Sequence, residues 1–250
     1  MTQSLNLSLL SSSEKRELIA LLEEKERRKS RRKLYTYFPD TGPLRRELYQ
    51  KHLEFFRAGA LHKERLMLAA NRIGKTESVG GYELTLHLTG LYPEWWEGRR
   101  FKGPISAWMA GKTNETTRDI LQAKLFGRVA HDGPRKILDG TGLIPGDHIG
   151  EVTWRQGFAD LLDTAKVKHK AGGFSRLGVK SYQQGRGSFE GTEQDAILLD
   201  EEPPLDIYGE CLIRTMTTDG LIMVTFTPLE GMSETVMSFL PDGKLPEYAQ

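Results

Sequence analysis

Short apolar runs punctuate this chain at 66–70, 105–110, 176–182, 196–200 and 221–226, each bounded by turn residues, and they predict strands. Segments of helical length and pattern fall between them at 75–88, 114–126 and 204–217. Strands that alternate with helices imply an α/β fold with a mostly parallel sheet covered on both faces. Ahead of this core, 44–57 reads as a helix stopped by Gly59. Residues 13–33 read as an amphipathic arm that carries Leu18, Ile19, Leu21 and Leu22 behind a Ser13 cap. From 140 to 173 the chain is rich in glycine. Its β-like triplets Val152-Thr153-Trp154 and Lys166-Val167-Lys168 predict a hairpin at the edge of the sheet. Trp95 and Trp96 are expected to pack rather than to offer a stacking platform.

The composition suits one globular α/β domain: 250 residues, 38% hydrophobic and 28% charged. No apolar stretch approaches the roughly 20 residues that span a bilayer, and no basic-then-apolar signal opens the chain, so a cytosolic protein is expected, neither membrane-bound nor secreted. Cys211 alone excludes an internal disulfide. His52, His62, His87, His131, His148 and His169 are too scattered for a zinc site, so any metal should arrive with a nucleotide. The net charge of +1 hides a dense basic run at 27–33. That run suits phosphate backbone or an acidic partner, and equally a solvated helix end.

The candidate chemistry begins where the first core strand runs into Gly74-Lys75-Thr76. In such a loop backbone N–H groups wrap phosphates, the lysine reaches the β and γ oxygens, and the hydroxyl holds Mg²⁺ at a helix start. Ala70, Asn71, Arg72, Ile73 and Gly74 would form the cradle, although Ala69 stands where a first glycine is usual. The strand at 196–200 ends in Asp200, followed by Glu201, Glu202, Pro203 and Pro204. That ending suits an ATPase of the additional-strand class, in which the aspartate orients Mg²⁺ and the glutamate polarises the attacking water. An ordinary core strand with an acidic turn reads the same way in isolation. The second triplet, Gly111-Lys112-Thr113, follows its strand with almost no loop and is expected to be a turn, with Thr113 or Asn114 capping the next helix.

Three further features surround these. Gln50, preceded by Tyr49, is placed as an adenine reader, since a carboxamide both donates and accepts. Arg186 sits between Gly185 and Gly187, where a guanidinium could swing to a γ-phosphate in its own or an adjacent subunit, or tie its loop to the acidic strand. The last strand ends at Thr225 and Thr227, hydroxyls suited to sensing a γ-phosphate.

Read together, Ser181-Tyr182-Gln183-Gln184-Gly185-Arg186, Asp200-Glu201-Glu202-Pro203-Pro204 and Thr225-Phe226-Thr227-Pro228 resemble the large terminase subunit of tailed bacteriophages, over 49–239. The resemblance implies a P-loop NTPase of the additional-strand, RecA-like class. Its substrate would be ATP with Mg²⁺. Gln50 would bind adenine, Lys75 and Thr76 the phosphates and Mg²⁺, Asp200 and Glu201 would be the acidic pair, and Thr225 to Thr227 would couple hydrolysis to movement. It further implies double-stranded DNA, a portal protein and a small terminase subunit as partners, a homo-oligomeric ring on the procapsid with a monomer in isolation, and the cytoplasm of an infected bacterium as location. Some relatives carry an arginine where this chain has Asn71, which leaves a sensing role for Arg72 open. Relatives also continue into an RNase H-like nuclease domain. The expected organisation is therefore an arm at 1–35, the ATPase at 36–238 and the start of a linker at 239–250, with no nuclease activity in this chain. A superfamily 2-like helicase would need a second RecA-like lobe. A nucleotide-dependent switch would usually read guanine through Asn-Lys-x-Asp, and neither Asn6, Asn71 nor Asn114 is followed by lysine.

Overall fold

A computed structural model describes residues 11, 13, 15–21, 32–70, 73–228 and 233–240. Its frame is a seven-stranded sheet. In chain order the strands are β1 (Glu64–Leu68), β2 (Ser106–Gly111), β5 (Ile149–Trp154), β6 (Leu162–Lys168), β7 (Phe174–Ser181), β8 (Ala196–Asp200) and β9 (Leu221–Phe226), while β3 (Val129–Asp132) and β4 (Arg135–Leu138) form a separate ribbon. The sheet order is β1-β9-β8-β2-β7-β6-β5. The pairs from β1 through β7 are parallel, and β6 and β5 close the edge in antiparallel register. Because β9 lies between the strand that feeds the Gly-Lys-Thr turn and the strand that ends in Asp200, the sheet has the additional-strand arrangement expected from the sequence.

Strands buried on both faces must be apolar at successive positions, and β8 is buried at all five. Ala196 and Leu198 pack on one side with Val79, Leu84, Leu121, Leu125 and Phe126. Ile197 and Leu199 pack on the other with Ile207, Tyr208, Cys211 and Val236. The first layer is supplied by helix α3, built of Lys75–Gly81 and Tyr82–Thr89, and by α4, built of Asn114–Thr116, Thr117–Gln122 and Ala123–Phe126. The opposite layer is α5 (Leu205–Met216) with α6 (Glu234–Ser238). Gly80 lets α3 approach the sheet, since a Cβ there would stand 2.5 Å from Leu198.

Several local expectations change. The helix expected over 44–57 is a tight turn at Arg46–Leu48 followed by α2 (Gln50–Ala58), because Tyr49 leaves helical geometry at φ −113° and ψ 44°. The core also reaches back past the expected boundary at residue 35: Leu34, in the short helical turn α1 (Lys33–Thr36), is buried beside Phe38. The arm is helical at 13 and 15–21, and most of the basic run lies outside the described residues. Its described members, Arg32 and Lys33, pair with Asp147 and Glu77 of the chain itself. The ribbon β3–β4 carried no apolar signal, being mostly exposed. Trp96 is core, packed on Phe56 at 4.8 Å between ring centres.

Under β1 lies a buried polar network. Arg65 donates to Glu83 through Nη1 at 3.0 Å and Nη2 at 2.8 Å and to the Phe55 carbonyl at 2.8 Å, while His87 Nε2 lies 3.1 Å from Glu83. Despite burial, which favours the neutral acid, Arg65 and His87 hold the Glu83 carboxyl below its usual range. A buried pair is weak evidence of net stabilisation, but removing one partner leaves the other charge uncompensated. Glu83→Ala is therefore expected to cost about 3–5 kcal/mol, measured by urea unfolding, and a loss below about 1 kcal/mol would show that water solvates Arg65.

Candidate active site

The sheet topology brings three strand ends into one place. β1 runs into the Gly74 turn, where φ is +87°, a backbone that glycine adopts without strain. α3 starts at Lys75, whose Nζ donates to the carbonyls of Ala69 at 2.8 Å and Ala70 at 2.7 Å and to Thr227 Oγ1 at 2.7 Å. Burial lowers the proton affinity of Lys75, and the nearby Glu201 and Asp200 carboxylates partly restore it. Thr76 Oγ1 donates to Asp200 at 2.8 Å and Thr225 Oγ1 donates to the same carboxylate at 2.7 Å. These groups enclose a cavity of about 120 Å³ lined by Gly74, Lys75, Thr76, Lys124, Asp200, Glu201, Thr225 and Thr227. Asn71 and Arg72 lie outside the described residues.

Asp200 is only 5% exposed, and burial raises its pKa from 3.8 to about 6 against the hydrogen bonds from Thr225 and Thr76. A carboxyl whose folded pKa is raised favours the folded state in its protonated form. Its burden is absent below about pH 4 and grows until the pH passes about 6. At neutral pH it is on the order of 3 kcal/mol. Asp200→Asn is thus expected to stabilise the nucleotide-free chain at pH 7.5 by about 1–3 kcal/mol, with the advantage fading toward pH 4. Thermal melts at the two pH values measure it, and a melting point lowered at pH 7.5 would refute it.

Glu201 follows in a strained backbone. Its φ of +65° falls in the left-handed region, which costs about 1–3 kcal/mol for a residue with a side chain. The Glu201 amide donates to Thr225 O at 3.0 Å, and the Tyr182 hydroxyl bridges the carbonyls of Asp200 at 3.0 Å and Glu201 at 3.1 Å. The side chain so directed is exposed and lines both the Lys75 cavity and an outer cleft that holds Lys112, Glu202 and Thr227.

A larger hollow of about 710 Å³ adjoins Gly74, lined by Tyr37, Phe38, Leu44, Tyr49, His52 and Ile73 among others. Its apolar, aromatic wall and its size suit a nucleobase with its ribose. Gln50 does not line it. The Gln50 amide instead donates to the Glu47 carbonyl at 2.9 Å, in the turn that precedes its helix, and is exposed. Tyr49 does line the hollow, together with His52, a short step along α2 from the expected pair.

Arg186 is likewise not where a free loop would leave it. Ser181 and Gln184 cap each other, and two tight turns, Tyr182–Gln184 and Arg186–Phe189, order the segment. The guanidinium donates from Nε at 3.1 Å and Nη2 at 3.0 Å to Glu210 on α5, so the tie is to this helix and not to the acidic strand. The side chain is 52% exposed and is not among the residues that line the Lys75 cavity. The Gly111 turn behaves as expected, with Thr113 capping α4 by accepting from Thr116 N at 3.1 Å. Sequence reasoning gave no role to Lys124, Tyr182 or His52. Tyr182 stood in a quoted motif, but the other two carried no signal beyond a lone lysine and a lone histidine on helices.

The sequence matches the family described as terminase large subunit, T4likevirus-type, N-terminal, over residues 66–249. It is 37% identical over 254 residues to the large terminase subunit of Salmonella phage P22, covering 94% of this chain and 48% of that protein. The chain thus spans about half the length of this curated relative. Among solved structures it is similar to the large terminase of a thermophilic bacteriophage in complex with ADP, at 13% identity and TM-score 0.47 over 70% of this chain and 37% of that one. It is also similar to the large terminase ATPase domain of Thermus phage P74-26, at 14% identity and TM-score 0.46 over 73% and 69%. With the family profile matched over most of its length and a relative this similar, the chain belongs to the terminase large subunit family, in its N-terminal region.

Proposed function

We infer that this chain is an ATP hydrolase that drives double-stranded DNA into a viral procapsid. The observation that carries the reading is the convergence of Lys75, Thr76, Asp200, Glu201 and Thr227 on one phosphate-sized cavity beside an aromatic hollow. Lys75 is held by three neutral oxygens and can exchange them for phosphate oxygens. A buried carboxylate faced by the Thr76 hydroxyl suits a hard cation, so Thr76 and Asp200 would hold Mg²⁺ with the nucleotide. Bound there, the ion would neutralise charge on the phosphates. Glu201 would orient the attacking water, and Thr227, which contacts Lys75 and accompanies Thr225 at the end of β9, would report the state of the phosphates to that strand.

Membership of the large terminase family supports packaging of DNA with a portal in general, and we propose beyond it a small terminase subunit as partner and a ring assembled on the procapsid in the infected cell. Residues 36–238 would be the ATPase domain, and Arg72 would add a further cation at the phosphates. Lys75→Ala is expected to lose ATP binding by about 100-fold, read by equilibrium titration of a fluorescent ATP analogue against the wild type. Unchanged affinity would overturn the nucleotide reading, whereas hydrolysis that proceeds without any DNA movement would overturn only the packaging role.

A further inference from the structure

Lys124, on α4, lines the phosphate cavity together with Lys75, Thr76, Asp200 and Glu201. Two carboxylates border this seat, and Lys75 offsets one of them. Asp200 is in addition the carboxylate that would face Mg²⁺, and a polyphosphate brings more negative charge than one lysine and the ion offset; Lys124 is the other lysine in the cavity wall. Its present partner is weakly held: Nζ lies 3.7 Å from Glu77 Oε2. Glu77 is meanwhile bound closely by Lys33 and by the Tyr37 hydroxyl, so its charge is matched without Lys124. The Lys124 side chain is 32% exposed and able to turn from Glu77 to the cavity. The field of Lys124 already reaches Asp200, where it favours the ionised carboxylate.

We propose that Lys124 is a second lysine ligand of the nucleotide polyphosphate, reaching it from the helix that follows β2. The proposal rests on the ATP reading above, and the Lys75 arm of the test separates the two. Competition titrations on the full chain compare ATP, ADP and AMP for wild type, Lys124→Met, Lys124→Arg, Glu77→Gln and Lys75→Ala. Lys124→Met is expected to weaken ATP by about 10- to 100-fold, the worth of a charge-assisted hydrogen bond, with AMP changed by less than about twofold and Lys124→Arg retaining most of the affinity. Lys124→Gln, which keeps the stem and the polarity, replaces Lys124→Met if melting shows that the latter unfolds. Equal losses for ATP and AMP, or the same ATP loss in Glu77→Gln, would mean that Lys124 only positions Glu77, and would overturn the proposal. Normal ATP affinity in the Lys124 variants while Lys75→Ala loses it would overturn this assignment alone. Normal affinity in Lys75→Ala as well would remove the ATP reading and this inference with it.

Discussion

Glu201→Gln is expected to bind ATP with wild-type affinity and to hydrolyse it about 10²- to 10⁴-fold more slowly, the range for loss of a positioned general base. The substitution keeps the shape and a hydrogen-bonding oxygen but removes the basicity. In the proposed function the ground-state contacts with the phosphates fall to lysines and Thr76 rather than to Glu201, so affinity should not move. The backbone argues for the assignment independently of the acidic chemistry. Glu201 sits at φ +65°, braced by the Thr225 carbonyl on its amide and by the Tyr182 hydroxyl on its own carbonyl. Strain held in place from two sides aims a side chain that a relaxed turn would leave free. Phosphate release measured beside equilibrium binding makes the comparison. Turnover within about twofold of wild type would transfer the role to Glu202, which lines the outer cleft.

Under the proposed function, Arg186→Ala should leave the hydrolysis of the free chain and its ATP affinity nearly intact, yet slow turnover in the proposed DNA-bound ring by about 10³- to 10⁵-fold, as loss of an arginine finger does. The Glu210 tie keeps the guanidinium outside its own phosphate cavity while leaving half of it exposed, an arrangement suited to a neighbouring subunit's nucleotide. Glu210 also pairs with Arg214 at 2.9 Å, so it stays compensated if Arg186 leaves. Mixing Arg186→Ala with Glu201→Gln subunits tests the direction of action. Partial recovery of hydrolysis means action across the interface, because only then do two inactive partners assemble one intact site. Wild-type rates for Arg186→Ala in the assembled ring would leave Arg186 as a tie to α5 and make Arg72 the next candidate.

Much of the frame was legible along the chain because its signals are local. β8 and β9 are apolar at successive positions, a pattern that only a strand buried on both faces needs, and both run where the sequence puts them. The helical run Asn114–Phe126 is announced by its Thr113 cap, and the edge hairpin by its glycines and β-branched triplets. The ribbon β3–β4 escaped because its residues are mostly exposed and leave no apolar period.

Lys75, Thr76, Asp200, Glu201, Thr225 and Thr227, picked out along the chain by residue type at strand ends, do meet in the wall of one cavity. By itself the sequence determined the additional-strand α/β class and singled out these six positions as candidates, because each depends on short-range pattern. Which distant side chains share the cavity was decided only by the tertiary structure. Lys124 reaches it because α4 packs beside α3, Tyr182 reaches Glu201 because β7 and β8 flank β2, and Arg186 turns to Glu210 because α5 carries a compensating charge under its turn. Gln50 turns back onto the segment before its helix, where its amide reaches the Glu47 carbonyl, while the hollow is lined by aromatic rings and His52.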